Sequence, residues 1–340
     1  MNSELKIDKA NLLARYSTLE AEYEALIAGV GLVDRSNVGR LSVKGKDGLD
    51  LLSRLSTNAL LDVAPGHGMR TILTSNKGRI IDLALVLRQD ERLMMVAAPE
   101  MRQKLVEWID FYTFTEEVTV KDVTEETAML SLSGPKAGAV LDALSCMTVS
   151  SMVLHEHVYI GLGDVEAMVA RTDFTRLPGF DIIVSVAGAA ALWGALLKAG
   201  EAVGIRPVGS EAVEAVRIEQ GVPVFGKELG EEYNPLEAGL KDLVSFTKGC
   251  YVGQEVVTRL NTYQKVQKHL VTLRWDASAK VATNSPLMLD GKQVGVVTSA
   301  ARLPGGAGVG LGYVRKAQAE PGMEVVGPEG IVVEVGRVMG

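Results

Sequence analysis

Apolar residues recur along this chain with two periods, and the switches between them mark its elements. Leu19, Tyr23, Leu26 and Ile27 repeat at helical spacing behind Ser17-Thr18-Leu19-Glu20, which has the form of a capping box, and the repeat stops at Gly29 and Gly31. A strand is predicted over Val38–Val43, then a helix capped by Asp47 with Leu49, Leu52 and Leu55 on its inner face. After the turn Pro65-Gly66-His67-Gly68, two β-like runs, Met69–Leu73 and Arg79–Leu87, flank Thr74-Ser75-Asn76-Lys77-Gly78 in the manner of a hairpin. Met101, Leu105, Trp108, Ile109 and Tyr112 mark an amphipathic helix. Strands at Val118–Val123 and Ala128–Leu132 lead to Gly134-Pro135, where proline opens a helix reaching Leu144. The rhythm returns with strands at Val165–Arg171 and Phe180–Val186, a helix after Gly188, and a helix capped by Ser210 that carries Val213, Val216 and Arg217.

Strands and helices interleave without a strict βαβ period, which predicts an α+β fold with antiparallel sheets. From Lys265 the texture changes. Short β-like runs at Leu270–Arg274, Gln293–Ser299, Val309–Val314 and Ile331–Val338 are separated by Gly, Pro and Asp, as in a small β-barrel. The Gly-rich run from Pro304 to Gly312 has neither phosphate-loop spacing nor a following helix and reads as a hairpin turn. Ile182 to Leu197 is free of charge, but it is shorter than the roughly 20 residues of a membrane span and reads as a strand feeding a buried helix.

Composition narrows the function. The 340 residues, 47% apolar and 23% charged, suit a globular protein of two domains rather than a disordered chain. A net charge of −7 argues against nucleic-acid binding through charge alone. The C-terminal hundred residues nonetheless carry +4, leaving −11 on the rest. No acid falls between Val256 and Trp275, where Arg259, Lys265, Lys268, His269 and Arg274 lie; this segment suits either a solvated barrel face, the more ordinary outcome, or the guiding of an acidic partner. Two cysteines, Cys146 and Cys250, are too few for a disulfide framework or a four-thiolate site and suit a reducing compartment. The opening MNSELKIDKANLLARY lacks the apolar run of a signal peptide, so a cytoplasmic protein without a membrane partner is expected. His155 and His157 read as surface histidines, since no Cys or acid set completes a metal site beside them.

The densest chemistry lies in Lys248-Gly249-Cys250-Tyr251-Val252-Gly253-Gln254-Glu255. If extended, this run places Lys248 and Cys250 on one face, where the ammonium favours thiolate and the glycines admit another group closely. A buried, inert cysteine beside an ordinary turn fits the composition equally well. Cys146, at the end of a predicted helix, is expected to be partly or wholly buried.

The same run resembles the signature K-G-C-Y-x-G-Q-E of the YgfZ family, folate-binding proteins that maintain iron–sulfur enzymes, within the glycine cleavage T-protein (aminomethyltransferase) superfamily. Gly31 to Arg40 resembles the superfamily's G-L-F-D-x-S-x-x-G-R block, and Asn76 to Asp82 its N-x-x-G-G-I-x-D-D block. Arg217 to Gly221 and Asn234 to Leu240 resemble its R-x-E-x-G and T-P-x-E-x-G-L blocks. The resemblance implies a three-lobed ring: two intertwined α/β subdomains over residues 1–258 and a C-terminal barrel over 259–340. It implies tetrahydrofolate, or a one-carbon-substituted folate, as ligand, and iron–sulfur assembly factors or client enzymes as partners.

In that frame Asp181 accepts the adjacent N–H groups of the pterin and Arg217 meets the anionic glutamyl tail, with Asn76, Tyr251 and Gln254 lining the folate. Asp82 acts near the one-carbon unit, and Cys250 is an exposed thiol tuned by Lys248. Two departures bear on activity. Leu83 follows Asp82 where the T-protein pattern has a second aspartate, and Gly179-Phe180-Asp181 stands where it has G-x-E. The alternatives are therefore a true aminomethyltransferase of glycine cleavage and a non-catalytic, folate-regulated adaptor.

Overall fold

The computed structural model describes residues 12–340. Most of the N-terminal segment from which a missing leader is read lies outside the described residues. The fold is α+β with antiparallel sheets and a closed C-terminal barrel, as the change of period implies.

The first helix, α1 (Leu19–Ala28), starts one residue later than a Ser17 cap would place it, because the Thr18 hydroxyl accepts from the Ala21 amide. Strands β1 (Val30–Asp34) and β2 (Gly39–Lys44) follow, then α2 (Gly48–Leu55), β3 (Gly68–Thr74), β4 (Ile80–Arg88) and β5 (Arg92–Ala97). The next elements are α3 (Arg102–Phe111), β6 (Thr119–Asp122), β7 (Thr127–Ser133), α4 (Ala137–Leu144), β8 (His157–Leu162), β9 (Val165–Thr172) and β10 (Gly179–Ser185). Helix α5 (Val186–Ala199), β11 (Ile205–Pro207), α6 (Ser210–Gln220) and α7 (Gln254–Thr262) precede the barrel. The expected start of the barrel, Arg259, lies inside α7, and its first strand begins at Lys268. The barrel strands are β12 (Lys268–Trp275), β13 (Pro286–Leu289), β14 (Lys292–Arg302), β15 (Gly308–Arg315), β16 (Glu324–Val326) and β17 (Val332–Val338). The Gly-rich run is the β14–β15 hairpin and its entry into β15. Among the described residues no helix is long and apolar enough to cross a membrane, and the uncharged stretch is β10 feeding α5.

One sheet has the order β11-β1-β7-β10-β9-β8, a second has the order β3-β4-β5-β2-β6, and the barrel closes as β12-β15-β14-β13-β16-β17. The chain packs as two compact units. Of the described residues, the first comprises those up to Leu51 together with 62–69 and 85–216, and the second comprises 52–61, 70–84 and 217–340.

In the first unit, strand alternation divides the six-stranded sheet into two faces. Leu130, Leu132, Val169, Phe180, Ile182 and Val184 pack with Val140, Leu141, Leu192 and Leu196 of α4 and α5. The opposite face turns Met129, Met168, Ala170 and Ile183 onto Leu85, Leu87, Met94 and Val96 of β4 and β5. His157 opens β8 and is 6% exposed, which corrects its reading as a surface residue, and His155 sits half-buried at φ 67°. Both are held because the amide of His157 donates to the Gly66 carbonyl and that of His155 to the Arg171 carbonyl, each at 2.8 Å.

In the second unit the barrel core comprises Val271, Leu273, Leu287, Val297, Val314 and Val335, among others. A further cluster joins Ile72 and Ile80 to Leu270, Leu311 and Tyr313. There Tyr233 stacks on Tyr313 with centroids 3.8 Å apart, and the Lys268 ammonium lies 4.3 Å above Tyr233. One of the basic residues of the acid-free segment is thus turned onto the protein's own aromatic rings.

Candidate functional site

Asp181 belongs to the first unit. Because Phe180 and Ile182 point at the helices, the strand turns Asp181 to the other face, beside Ile183. It is 4% exposed, so it is not a strand-end acid in solvent. Among the described residues its hydrogen bonds fall on Oδ1, from Arg35 at 2.9 Å and from the Ser131 hydroxyl at 2.5 Å. The Arg35 guanidinium also lies 4.0 Å over the Phe174 ring.

The turn that presents Arg35 is braced from below. The Ser36 amide donates to Asp34 at 2.9 Å, and Arg40, fully buried, donates to the carbonyls of Ser36, Thr124 and Thr127 at 2.9–3.1 Å and also to that of Val38. Burial pulls the Arg40 guanidinium down to about 10, with neighbouring Arg102 adding to the effect. Arg35 and Ser131 were not singled out as site residues on the sequence. The usable signal was Arg35 inside the Gly31–Arg40 block, but no spacing rule pairs it with an acid 146 residues away.

The other predicted residues lie in the second unit. Asp82 is in β4, 1% exposed, with Oδ1 accepting from the Leu83 amide at 2.8 Å. The β3–β4 turn is closed by Ser75 and Arg79, and the exposed Asn76 is at its tip. This turn meets the Lys248–Glu255 run. The Thr74 hydroxyl donates to the Val252 carbonyl at 2.5 Å, and the Val252 amide donates to that of Arg54 at 3.0 Å. Gln254 opens α7, half-buried.

Three expectations are corrected by the geometry. Lys248 is not available to tune Cys250: its ammonium donates to the carbonyls of Ser53, Ser56 and Asn58 at 2.5, 2.7 and 2.8 Å. An ammonium has three N–H donors, so all are engaged at the C-terminal end of α2, where helix carbonyls lack partners. Burial pulls the Lys248 ammonium down to about 8. The run is also irregular rather than extended, which removes the argument that Lys248 and Cys250 share a face.

Arg217 does not reach for an anionic tail. It is 3% exposed and donates to Glu228 at 3.0 Å, to the Val222 carbonyl at 3.1 Å and to the Ser299 hydroxyl at 2.6 Å. Glu228, fully buried, also accepts from Thr298 and Ser299 at 2.7 and 2.6 Å, so the pair ties Arg217 to β14. Cys146, expected to be buried, is exposed because α4 ends at Leu144 and leaves it beyond the core; Cys250 is exposed as well.

Tyr251 is the buried member of the signature run. It is 7% exposed, its ring lies 5.2 Å from the Lys248 ammonium, and its hydroxyl has no hydrogen-bond partner among the described residues. Burial pushes its phenol up to about 12. Among the described residues no group of three or more His, Cys, Asp or Glu is placed to hold a metal ion.

Residues 12–248 match the family model described as the GCVT N-terminal domain, and residues 268–328 match the glycine cleavage T-protein C-terminal barrel domain. The chain is similar to a chloroplastic protein of Arabidopsis thaliana named provisionally as a transferase, at 32% identity over 97% of this chain and 76% of that one. It is similar to an aminomethyltransferase of Symbiobacterium thermophilum at 32% identity over 92% of this chain and 85% of the relative. The crystal structure of the glycine cleavage system aminomethyltransferase T from Bartonella henselae superposes with a TM-score of 0.86, covering 96% of this chain and 90% of that one. At 24% identity that superposition speaks for the fold alone. By both of its domain matches, the chain belongs to the glycine cleavage T-protein family.

Proposed function

We propose that this protein binds tetrahydrofolate and transfers a one-carbon unit of the aminomethyl type. The observation that carries the reading is the buried Asp181 carboxylate, oriented by Arg35 and Ser131 on an otherwise largely apolar sheet face. A pterin offers adjacent N–H donors, which suit a fixed carboxylate. The donor set fits the ring. Arg217 does not fit the tail, and no other cation is assigned to it. The name aminomethyltransferase on relatives about as similar as the one above supports the same reading.

When bound, tetrahydrofolate supplies the nitrogen to which the one-carbon unit is attached. The protein's own part is positional and electrostatic. Asp181 orients the ring, and Arg35 fixes the carboxylate. Calorimetric titration with tetrahydrofolate and its 5-formyl and 5,10-methylene forms, followed by a glycine cleavage assay with a lipoyl carrier protein, tests both halves. Absence of binding to every form would end the reading.

A second reading is a folate-binding protein of the YgfZ type that supports iron–sulfur enzymes. The exposed Cys250 within K-G-C-Y-V-G-Q-E favours it, as does Leu83 in place of a second aspartate. Two exposed free thiols also suit a reducing, cytoplasmic setting. This reading expects no glycine cleavage, and expects Cys250→Ser to lower iron–sulfur client activity in cells while folate binding persists.

A further inference from the structure

Thr172 closes β9 on the same sheet face as Asp181, two residues beyond Ala170, the cross-strand partner of Asp181. Its side chain is 2% exposed, and its hydroxyl has no hydrogen-bond partner among the described residues. The other hydroxyls of this polar row are engaged. Ser131 donates to Asp181, and Ser133 pairs with Thr175 at 2.8 Å.

A buried hydroxyl without a partner is destabilising, and valine fills the same volume without that cost. A threonine in this place therefore points to a partner other than the chain itself. Asp181 and Thr172 are diagonal neighbours of the ladder, a separation of about 7–8 Å. The edge of one heteroaromatic ring with a hydrogen bond at each end spans such a gap. Met129 and Ile183 further along the strands pack onto Leu85 and Val96, and Phe174 beyond Thr172 packs with the cluster that holds Val33, so the polar row of Asp181, Ser131 and Thr172 lies between two apolar clusters.

We propose that Thr172 is a specificity-determining residue for the ring anchored by Asp181, donating its hydroxyl to a ring carbonyl next to the N–H groups that the carboxylate accepts. The inference rests on the folate reading above and deepens it, since a 2-amino-4-oxopteridine carries along one edge an amino N–H, a ring N–H and a carbonyl oxygen. The step is recognition only. No bond is made or broken.

The test is Thr172→Val, read by thermal unfolding of the free protein, titration with tetrahydrofolate, and competition by pterin and by 2-aminopteridine, which lacks the carbonyl and with it the ring N–H but keeps the amino group for Asp181. The free variant should be at least as stable as the wild type. Its affinity for tetrahydrofolate and pterin should fall about threefold to tenfold, while that for 2-aminopteridine stays unchanged. A lowered melting temperature, an unchanged tetrahydrofolate affinity, or equal losses for both rings would overturn the role of Thr172 and leave the folate reading standing. A wild-type protein that binds no pterin ring would overturn both.

Discussion

Gly78 and Gly253 stand against each other: a Cβ built on Gly253 would lie 3.1 Å from the Cα of Gly78 and would strike the Ser75 carbonyl oxygen. Both residues have positive φ, +65° and +86°, and each is restricted a second time by crowding, Gly253 by the backbone of Ser75 and Gly78, and Gly78 by the side chains of Val256 and Val257. This contact joins the β3–β4 turn to the start of α7 and thereby fixes the signature run against the strand that carries Asp82.

Gly253→Ala is expected to cost about 1–3 kcal/mol through strained φ, with more added by the backbone clash. Gly249→Ala, four residues earlier with nothing within 4 Å of its Cβ position, should stay within about ±0.5 kcal/mol. Chemical denaturation of the two variants checks the contrast. Equal stabilities would show that the turn shifts freely.

Lys248→Met should destabilise the protein by about 1.5–3 kcal/mol, the range for hydrogen bonds to a charged group, because three carbonyls lose one shared donor. Cys250 should be alkylated as fast as in the wild type, because Lys248 is engaged elsewhere. Slower labelling of Cys250 in the variant, followed by mass spectrometry, would restore Lys248 as its tuning group.

Both exposed cysteines should alkylate in the native protein at comparable rates, giving two labelled sites by mass spectrometry. Labelling confined to Cys250 would show that Cys146 is shielded.

Arg217→Met should cost about 3–5 kcal/mol, since it strands the fully buried Glu228 without its ion partner. Adding Glu228→Gln should recover part of the loss. If the single variant folds normally and loses only folate affinity, the tail-binding role returns.

His157 offers a pH test. Burial holds its imidazole below the usual 6.5, with His67 adding to the effect and Glu156 opposing it. Between the folded and unfolded values the unfolded chain binds the extra proton. Stability therefore rises with pH across that window and falls as pH drops below 6.5 toward the folded value. His157→Phe should flatten the loss seen in urea midpoints between about pH 7 and about pH 5. Parallel profiles for variant and wild type would assign the loss to other groups.

What the sequence determined by itself is local. Hydrophobic period set the helices α1, α3, α5 and α6 to within a few residues, and the Thr74–Gly78 turn could be read because turn chemistry acts over a handful of neighbours. The strands it hid are those whose pattern says little. Arg92–Ala97 is a continuous apolar run that also suits a helix, and Glu324–Val326 is only three residues long. Alternation sets Asp181 opposite Phe180 and Ile182, but neither its burial nor its partners follow from that. Whether Lys248 faces a thiol or the end of α2, whether Arg217 meets a ligand or Glu228, and whether Cys146 is covered depend on which distant segments are brought alongside. Only tertiary structure decides these points, because a charged or polar side chain takes its role from the acceptors that close around it, and they come from anywhere in the chain.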